Sequence, residues 1–119
     1  MEFADPRSRW QLKITLDNVE PPVWRRVVVQ DDLTFLQLHK VIQAAMGWED
    51  YHMHQFELAS PRLFIGTQSR DDPFFGESPR MLPEKTTRLA DVVGKKRKVH
   101  YWYDFGDDWR HTVQIEMLL

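Results

Sequence analysis

Between Val99 and Ile115 apolar residues recur at every second position on both sides of Gly106-Asp107-Asp108, and this stretch restricts the fold more than any other. Side chains alternate across a strand, so Val99, Tyr101, Tyr103 and Phe105 share one face of an incoming strand. Trp109, His111, Val113 and Ile115 share one face of the outgoing strand. Turn length decides whether these faces coincide, because a slip of one residue sends every side chain to the other side. A three-residue loop at 106–108 makes them coincide, pairing Phe105 with Trp109, Tyr103 with His111, Tyr101 with Val113 and Val99 with Ile115. A two-residue Gly-Asp loop would set Arg110 opposite Tyr103 and mix the faces. The pattern therefore predicts the three-residue loop, with Gly106 supplying backbone freedom and the two aspartates supplying turn chemistry. It assigns Tyr101, Tyr103 and Phe105 to the core. Trp102 then lies on the opposite face beside His100 and Asp104, and Asp104 faces Arg110 across the strands.

Upstream, Trp10, Leu12, Ile14 and Leu16 alternate with polar residues, which predicts a first strand over 10–17 with one wet face. Pro21-Pro22 cannot donate ladder hydrogen bonds and marks the entrance to a second strand, Trp24 to Val29. Arg25 and Arg26 fall on opposite faces of that strand. One of them must lie towards the covered side or its rim, with its stem on apolar neighbours and its head in water.

A helix follows. Thr34 and Gln37 have capping-box spacing, and Leu33 and Leu38 fit a hydrophobic staple. Phe35, Leu38, Val41, Ile42, Ala45 and Met46 form one apolar stripe, which leaves Gln37, His39, Lys40, Gln43 and Ala44 towards the polar side. Gly47 is expected to end the helix in a left-handed cap, with Trp48 folding back. His52 to Leu58 reads as a third strand with His52, His54, Phe56 and Leu58 on one side. Arg62 to Ile65 reads as a short fourth after the Ser60-Pro61 turn signal.

From Gly66 to Thr87 periodicity disappears, which suggests a lid or a family-variable insertion anchored by Phe74, Phe75 and Met81. Thr87 is expected to cap a short helix through Leu89, Ala90, Val92 and Val93, ended by Gly94. The basic run Lys95-Lys96-Arg97-Lys98 then fits a solvated loop at a helix C-terminus, where cations are favoured. The resulting order is β-β-α-β-β-(short α)-β-β: an α+β chain with one helix across a mostly antiparallel mixed sheet, similar to the β-grasp arrangement of ubiquitin-like domains.

Composition narrows the chemistry. The 119 residues make one domain large enough for a real core, and the absence of cysteine removes disulfides, thiol nucleophiles and thiolate metal sites. His, Asp and Glu remain as metal ligands. The lack of a leader-like or membrane-spanning apolar run, together with the missing cysteines, fits a cytoplasmic protein without membrane contact. A formal net charge of -2 and a sequence pI of about 6.2 argue against a protein built to hold duplex DNA by its phosphates.

Several blocks occur together in order. They are Gln11-Leu12-Lys13-Ile14-Thr15-Leu16, Pro21-Pro22-Val23-Trp24-Arg25-Arg26, Leu38-His39-Lys40-Val41-Ile42-Gln43-Ala44-Ala45-Met46-Gly47-Trp48, His52-Met53-His54-Gln55-Phe56, Leu89-Ala90-Asp91-Val92-Val93 and Tyr103-Asp104-Phe105-Gly106-Asp107-Asp108-Trp109-Arg110-His111. Over nearly the whole chain this succession resembles the plasmid pRiA4b ORF-three-like family. The resemblance implies an association with plasmids and transposons, sometimes under a resolvase-type label, and a biochemical activity that is undefined. It also implies a further C-terminal segment containing Cys, Pro and Gly, so an activity needing that segment is not expected of these residues. A serine recombinase is not expected either, because Ser8, Ser60, Ser69 and Ser78 fall in termini or loops without supporting motifs.

The reading favoured by these features is a non-catalytic binding module for a protein or nucleic acid, with no cofactor. Its candidate surface comprises Trp24, Arg25, Arg26, Trp48, Trp102, Asp104, Asp107, Asp108, Trp109 and His111. The alternative is a metal-assisted hydrolase or nuclease-like site. There His52, His54, His111 and Asp104, or Asp107 or Asp108, would hold zinc or manganese. A third reading, DNA association through Arg25, Arg26 and the run at 95–98, is weakened by the near-neutral charge.

Overall fold

The computed structural model describes residues 9–59, 62–67, 81–93 and 97–119. Among them are β1 (Arg9–Leu16), β2 (Val23–Gln30), α1 (Phe35–Met46), β3 (His54–Ala59), β4 (Arg62–Gly66), β5 (Met81–Pro83), α2 (Leu89–Val92), β6 (Lys98–Tyr103) and β7 (Trp109–Leu118). The strands form one sheet in the order β2-β1-β7-β6-β3-β4-β5. Every pairing is antiparallel except β4 with β5. The protein is thus α+β with a mostly antiparallel mixed sheet.

Directly paired residues share a face, and the registers build one continuous row across the sheet: Leu16, His111, Tyr101, Phe56, Ile65 and Leu82. Tyr101, Phe56, Ile65 and Leu82 of this row, with Leu12, Ile14, Val99, Val113 and Ile115, share one core with Phe35, Leu38 and Ile42 of α1 and Leu89 of α2. The opposite face carries Lys13, Arg26, Gln55, Glu57, His100, Trp102 and Glu116, the polar half of the alternation.

The start of α1 follows its sequence signals. Thr34 Oγ1 accepts from the Gln37 N–H and the Gln37 side chain accepts from the Thr34 N–H, the reciprocal capping box. The first turn has further N–H groups that need acceptors, and the 81–93 segment supplies them. The Glu84 carbonyl accepts from Leu36 and the Thr87 carbonyl from Phe35. Gly47 closes the helix at φ 77.

Five expectations need correction. The hairpin register differs by two residues: Tyr103 pairs with Trp109, Tyr101 with His111 and Val99 with Val113, so the loop is residues 104–108. An even shift preserves the faces, which is why Tyr101, Tyr103 and His111 remain buried. Asp104 and Asp108, at φ 62 and 61, take the left-handed positions instead of Gly106, and the Asp108 N–H donates to the Asp104 carbonyl at 2.7 Å. Phe105 leaves the core face and stacks on Trp102 at 4.1 Å, and Arg110 lies opposite Trp102 rather than Asp104. His39 and Gln43, assigned to the polar side of α1, are buried, because the Tyr101 hydroxyl below them needs polar partners.

Two smaller differences concern the 66–87 stretch and its end. It contains β5, whose Met81 is buried as an anchor, and α2 is capped by Arg88 without a side-chain bond from Thr87. Thr87 instead uses its backbone to reach Pro83 and Phe35. Ser60-Pro61, Phe74, Phe75, Gly94, Lys95 and Lys96 lie outside the described residues.

Candidate functional site

At the C-terminal end of α1 the chain turns through Gly47–Met53 and lies beside the hairpin loop, and both segments are fastened to the sheet by polar contacts. Gln43 donates from Nε2 to the Tyr101 hydroxyl at 2.9 Å, and the hydroxyl lies 2.6 Å from His39 Nδ1. The Asp50 carboxylate beside Nε2 can only accept, which places the proton of the neutral His39 ring on Nε2 and leaves Nδ1 to accept from the Tyr101 hydroxyl. Nε2–H then donates to Asp50 Oδ1 at 2.9 Å, and the Asp50 N–H donates to Gln43 Oε1 at 2.7 Å. Four residues thus close a ring of hydrogen bonds, and Asp50 sits in it at φ 57. Burial, with the neighbouring His54 ring, pushes the His39 pKa down, which favours the neutral ring. Burial also pushes the Tyr101 hydroxyl well above its ordinary range, so it serves as a hydrogen-bonding group and not as a nucleophile.

His54 projects from β3 beneath the same helix. Its ring stacks on His39 with centroids 3.5 Å apart and planes 9° from parallel, and its Nε2 lies 2.6 Å from Glu84 Oε1. Glu84 is 3% exposed. Two imidazoles and two carboxylates from four segments therefore meet between α1 and the sheet.

Next to this cluster, on the solvent side, Gly47, Trp48, Glu49, Tyr51, His52, Tyr103, Asp104, Asp107 and Trp109 line a cleft of about 290 Å³. Within it the Trp48 ring packs with Tyr103 and Trp109 at centroid distances of 5.5 and 5.6 Å. The Tyr51 N–H donates to the Tyr103 hydroxyl at 2.9 Å, leaving the Tyr51 ring 78% exposed at the rim. His52 lies 3.5 Å from Asp104. Among the described residues, three carboxylates and no lysine or arginine line the cleft, so its field favours cations.

The residues singled out from sequence separate into distinct places. Trp48, Asp104, Asp107 and Trp109 meet in the cleft. Trp102 is on the other face, between Phe105 and the Arg110 guanidinium, and its indole N–H is buried with no partner among the described residues. Arg110 also bonds Asp108 at 2.7 Å. Trp24 lies at the β2 edge under Lys13 and Arg26, and Arg26 forms a two-pronged pair with Glu116 at 2.8 and 3.2 Å. Arg25 is on the helix side of the rim, exposed, donating to the Trp24 carbonyl at 2.8 Å.

The three histidines of the metal alternative take different partners: His52 has Asp104, His54 has Glu84, and His111 has Trp48 and the Tyr101 carbonyl. The residues that do meet around His54, namely His39, Asp50 and Glu84, and Gln43, which holds Tyr101 and Asp50, were not singled out from sequence. One signal for two of them was present: His39 and Gln43 are four apart beside the Leu38 and Ile42 stripe, above a core tyrosine that required a partner.

Among the described residues no helix is long and apolar enough to cross a membrane. Comparison with known proteins gives a consistent relationship. An uncharacterized protein, y4hQ, of Sinorhizobium fredii is 38% identical over 107 residues, which is 89% of this chain and 52% of that protein. The crystal structure of a protein of unknown function, MM3350 from Methanosarcina mazei Go1, superposes with a TM-score of 0.82 at 37% identity, covering 95% of this chain and 62% of that one. The chain therefore spans about half the length of the curated relative and less than two thirds of the solved one. Residues 8–119 match the family described as plasmid pRiA4b ORF-3-like protein, and the chain belongs to that family, whose function is unknown.

Proposed function

We propose that this domain is a binding module whose recognition surface is the cleft between the Gly47–Met53 loop and the hairpin, and that it takes a cationic side chain of a partner protein. The observation carrying this reading is the composition of the cleft: Trp48, Tyr51, Tyr103 and Trp109 around Glu49, Asp104 and Asp107, with His52 beside Asp104 and no lysine or arginine among the described lining residues. Aromatic faces attract ammonium and guanidinium groups, and flanking carboxylates strengthen that attraction. A volume of about 290 Å³ accommodates one long side chain rather than a folded cofactor. The same carboxylates repel phosphate, which favours a protein over a nucleic acid.

The test is a titration followed by tryptophan fluorescence, using an arginine- and lysine-rich peptide, an acidic peptide of equal length and a single-stranded oligonucleotide. Saturable binding of the basic peptide is expected, weakening with salt and falling about tenfold in Asp107→Asn and Tyr51→Ala. Equal binding of the acidic peptide or the oligonucleotide, or no response to the basic one, would sink the proposal.

A further inference from the structure

We propose that His39, His54 and Asp50 form a binding site for a divalent transition metal, with zinc the best match. One ligand atom from each of these three residues lies within 4.8 Å of the other two. The donors come from α1, the following loop and β3, so the site exists only in the folded chain. Two imidazoles and a carboxylate suit borderline ions such as Zn²⁺ better than Mg²⁺ or Ca²⁺, which take oxygen ligands.

Features around the three ligands match what a metal centre needs. Ligating histidines are held by their second ring nitrogen, and His39 Nδ1 is held by the Tyr101 hydroxyl, itself fixed by Gln43. Gln43 also fixes the backbone of Asp50. Glu84 is buried, and its carboxylate pairs with an imidazole instead of a lysine or arginine among the described contacts, which leaves a negative group beside the site. Solvent reaches the site at Asp50, whose side chain is 56% exposed, whereas that of His39 is 2% exposed.

The ion takes the place of the proton now between His39 Nε2 and Asp50 Oδ1. His39 changes tautomer, the proton passing to Nδ1, and the Tyr101 oxygen turns from donor to acceptor, as a hydroxyl with two lone pairs can. The parallel rings direct their lone pairs side by side, not at one point. Binding therefore tilts His54 out of the stack towards Asp50, and its contact with Glu84 is broken or passed to the ion. This site is separate from the His52, His54, His111 and Asp104 set, sharing only His54, and it does not depend on the cleft binding a cation.

The experiment is equilibrium dialysis of the metal-free chain against Zn²⁺ alone, Mn²⁺ alone and Mg²⁺ alone, with nitrogen-detected NMR of the histidine rings. One equivalent of Zn²⁺ is expected, bound more weakly as Mn²⁺ and least as Mg²⁺. Asp50→Asn and His54→Gln should each weaken Zn²⁺ by about tenfold or more, while His52→Ala leaves it unchanged. Circular dichroism establishes that each variant is folded. If a variant unfolds, the wild-type spectrum decides, because Zn²⁺ must convert His39 from the Nε2–H to the Nδ1–H form. Absence of stoichiometric Zn²⁺ at about 0.1 mM, an unmoved His39 tautomer, or undiminished binding in folded Asp50→Asn would overturn the proposal.

Discussion

The indole N–H of Trp48 donates to Nε2 of His111 at 3.1 Å, while Nδ1 of the same ring lies 3.2 Å from the Tyr101 carbonyl. An acceptor at Nε2 and a donor at Nδ1 define one neutral tautomer of a fully buried histidine. Burial pushes its pKa below the ordinary value of 6.5. The unfolded chain protonates this ring near 6.5 while the folded chain resists. Stability from His111 is therefore fully present above that pH and is lost as pH falls towards the lower folded value. Urea unfolding between pH 8 and about 5 should show a falling midpoint. A folded His111→Gln variant should have a flatter profile, and an unchanged slope would contradict this account.

Tyr101→Phe removes one oxygen and strands two buried groups, His39 Nδ1 and Gln43 Nε2. A loss of about 1–3 kcal/mol is expected in denaturant unfolding. Faster amide exchange at Asp50 should accompany it, since Gln43 would no longer be held from both ends.

Thr34→Ala deletes the acceptor for the Gln37 N–H and leaves the reciprocal Gln37 bond. A cost of about 1 kcal/mol is expected, read as a shift in the urea midpoint with an unchanged slope.

Two glycines separate conformation from space. Gly47 has φ 77 and nothing within 4 Å of an added Cβ, so Gly47→Ala is strained without a clash and should cost about 1 kcal/mol. Gly106 is not in the left-handed region, and an added Cβ would meet Asp104 Oδ1 at an ordinary 3.6 Å. Gly106→Ala should therefore change stability by less than about 0.5 kcal/mol. A larger loss at Gly106 would contradict the assignment of the turn conformation to Asp104 and Asp108.

Periodicity made the strands and α1 legible because each buries one face, and that requirement is written into every second or every third and fourth residue. The hairpin shows the boundary of this information. Alternation determines which residues face inward, and any even shift satisfies it equally, so it left the Tyr101 and His111 pairing open. Five-residue closure rests instead on two aspartates accepting left-handed backbone, which residue spacing does not express. The candidate site was hidden for a related reason. His39 and Gln43 count as polar on a helical wheel, yet they face inward to satisfy a tyrosine more than fifty positions away. Asp50 and Glu84 join them through loop geometry and a helix start built from a distant segment.

The strand order also sets a timetable for folding. Trp10 pairs with Leu118 and Leu16 with His111, so β1 and β7 bind strands from opposite ends of the chain in the middle of the sheet. During synthesis β1 and β2 can meet early, but the half of the sheet built on β3 and β6 cannot join them until β7 has left the ribosome. Closing so long a loop before its contacts reward it is slow. The nascent chain therefore waits with β1 carrying an unpaired inner edge, and removal of β7 would split the sheet into two pieces rather than shorten it.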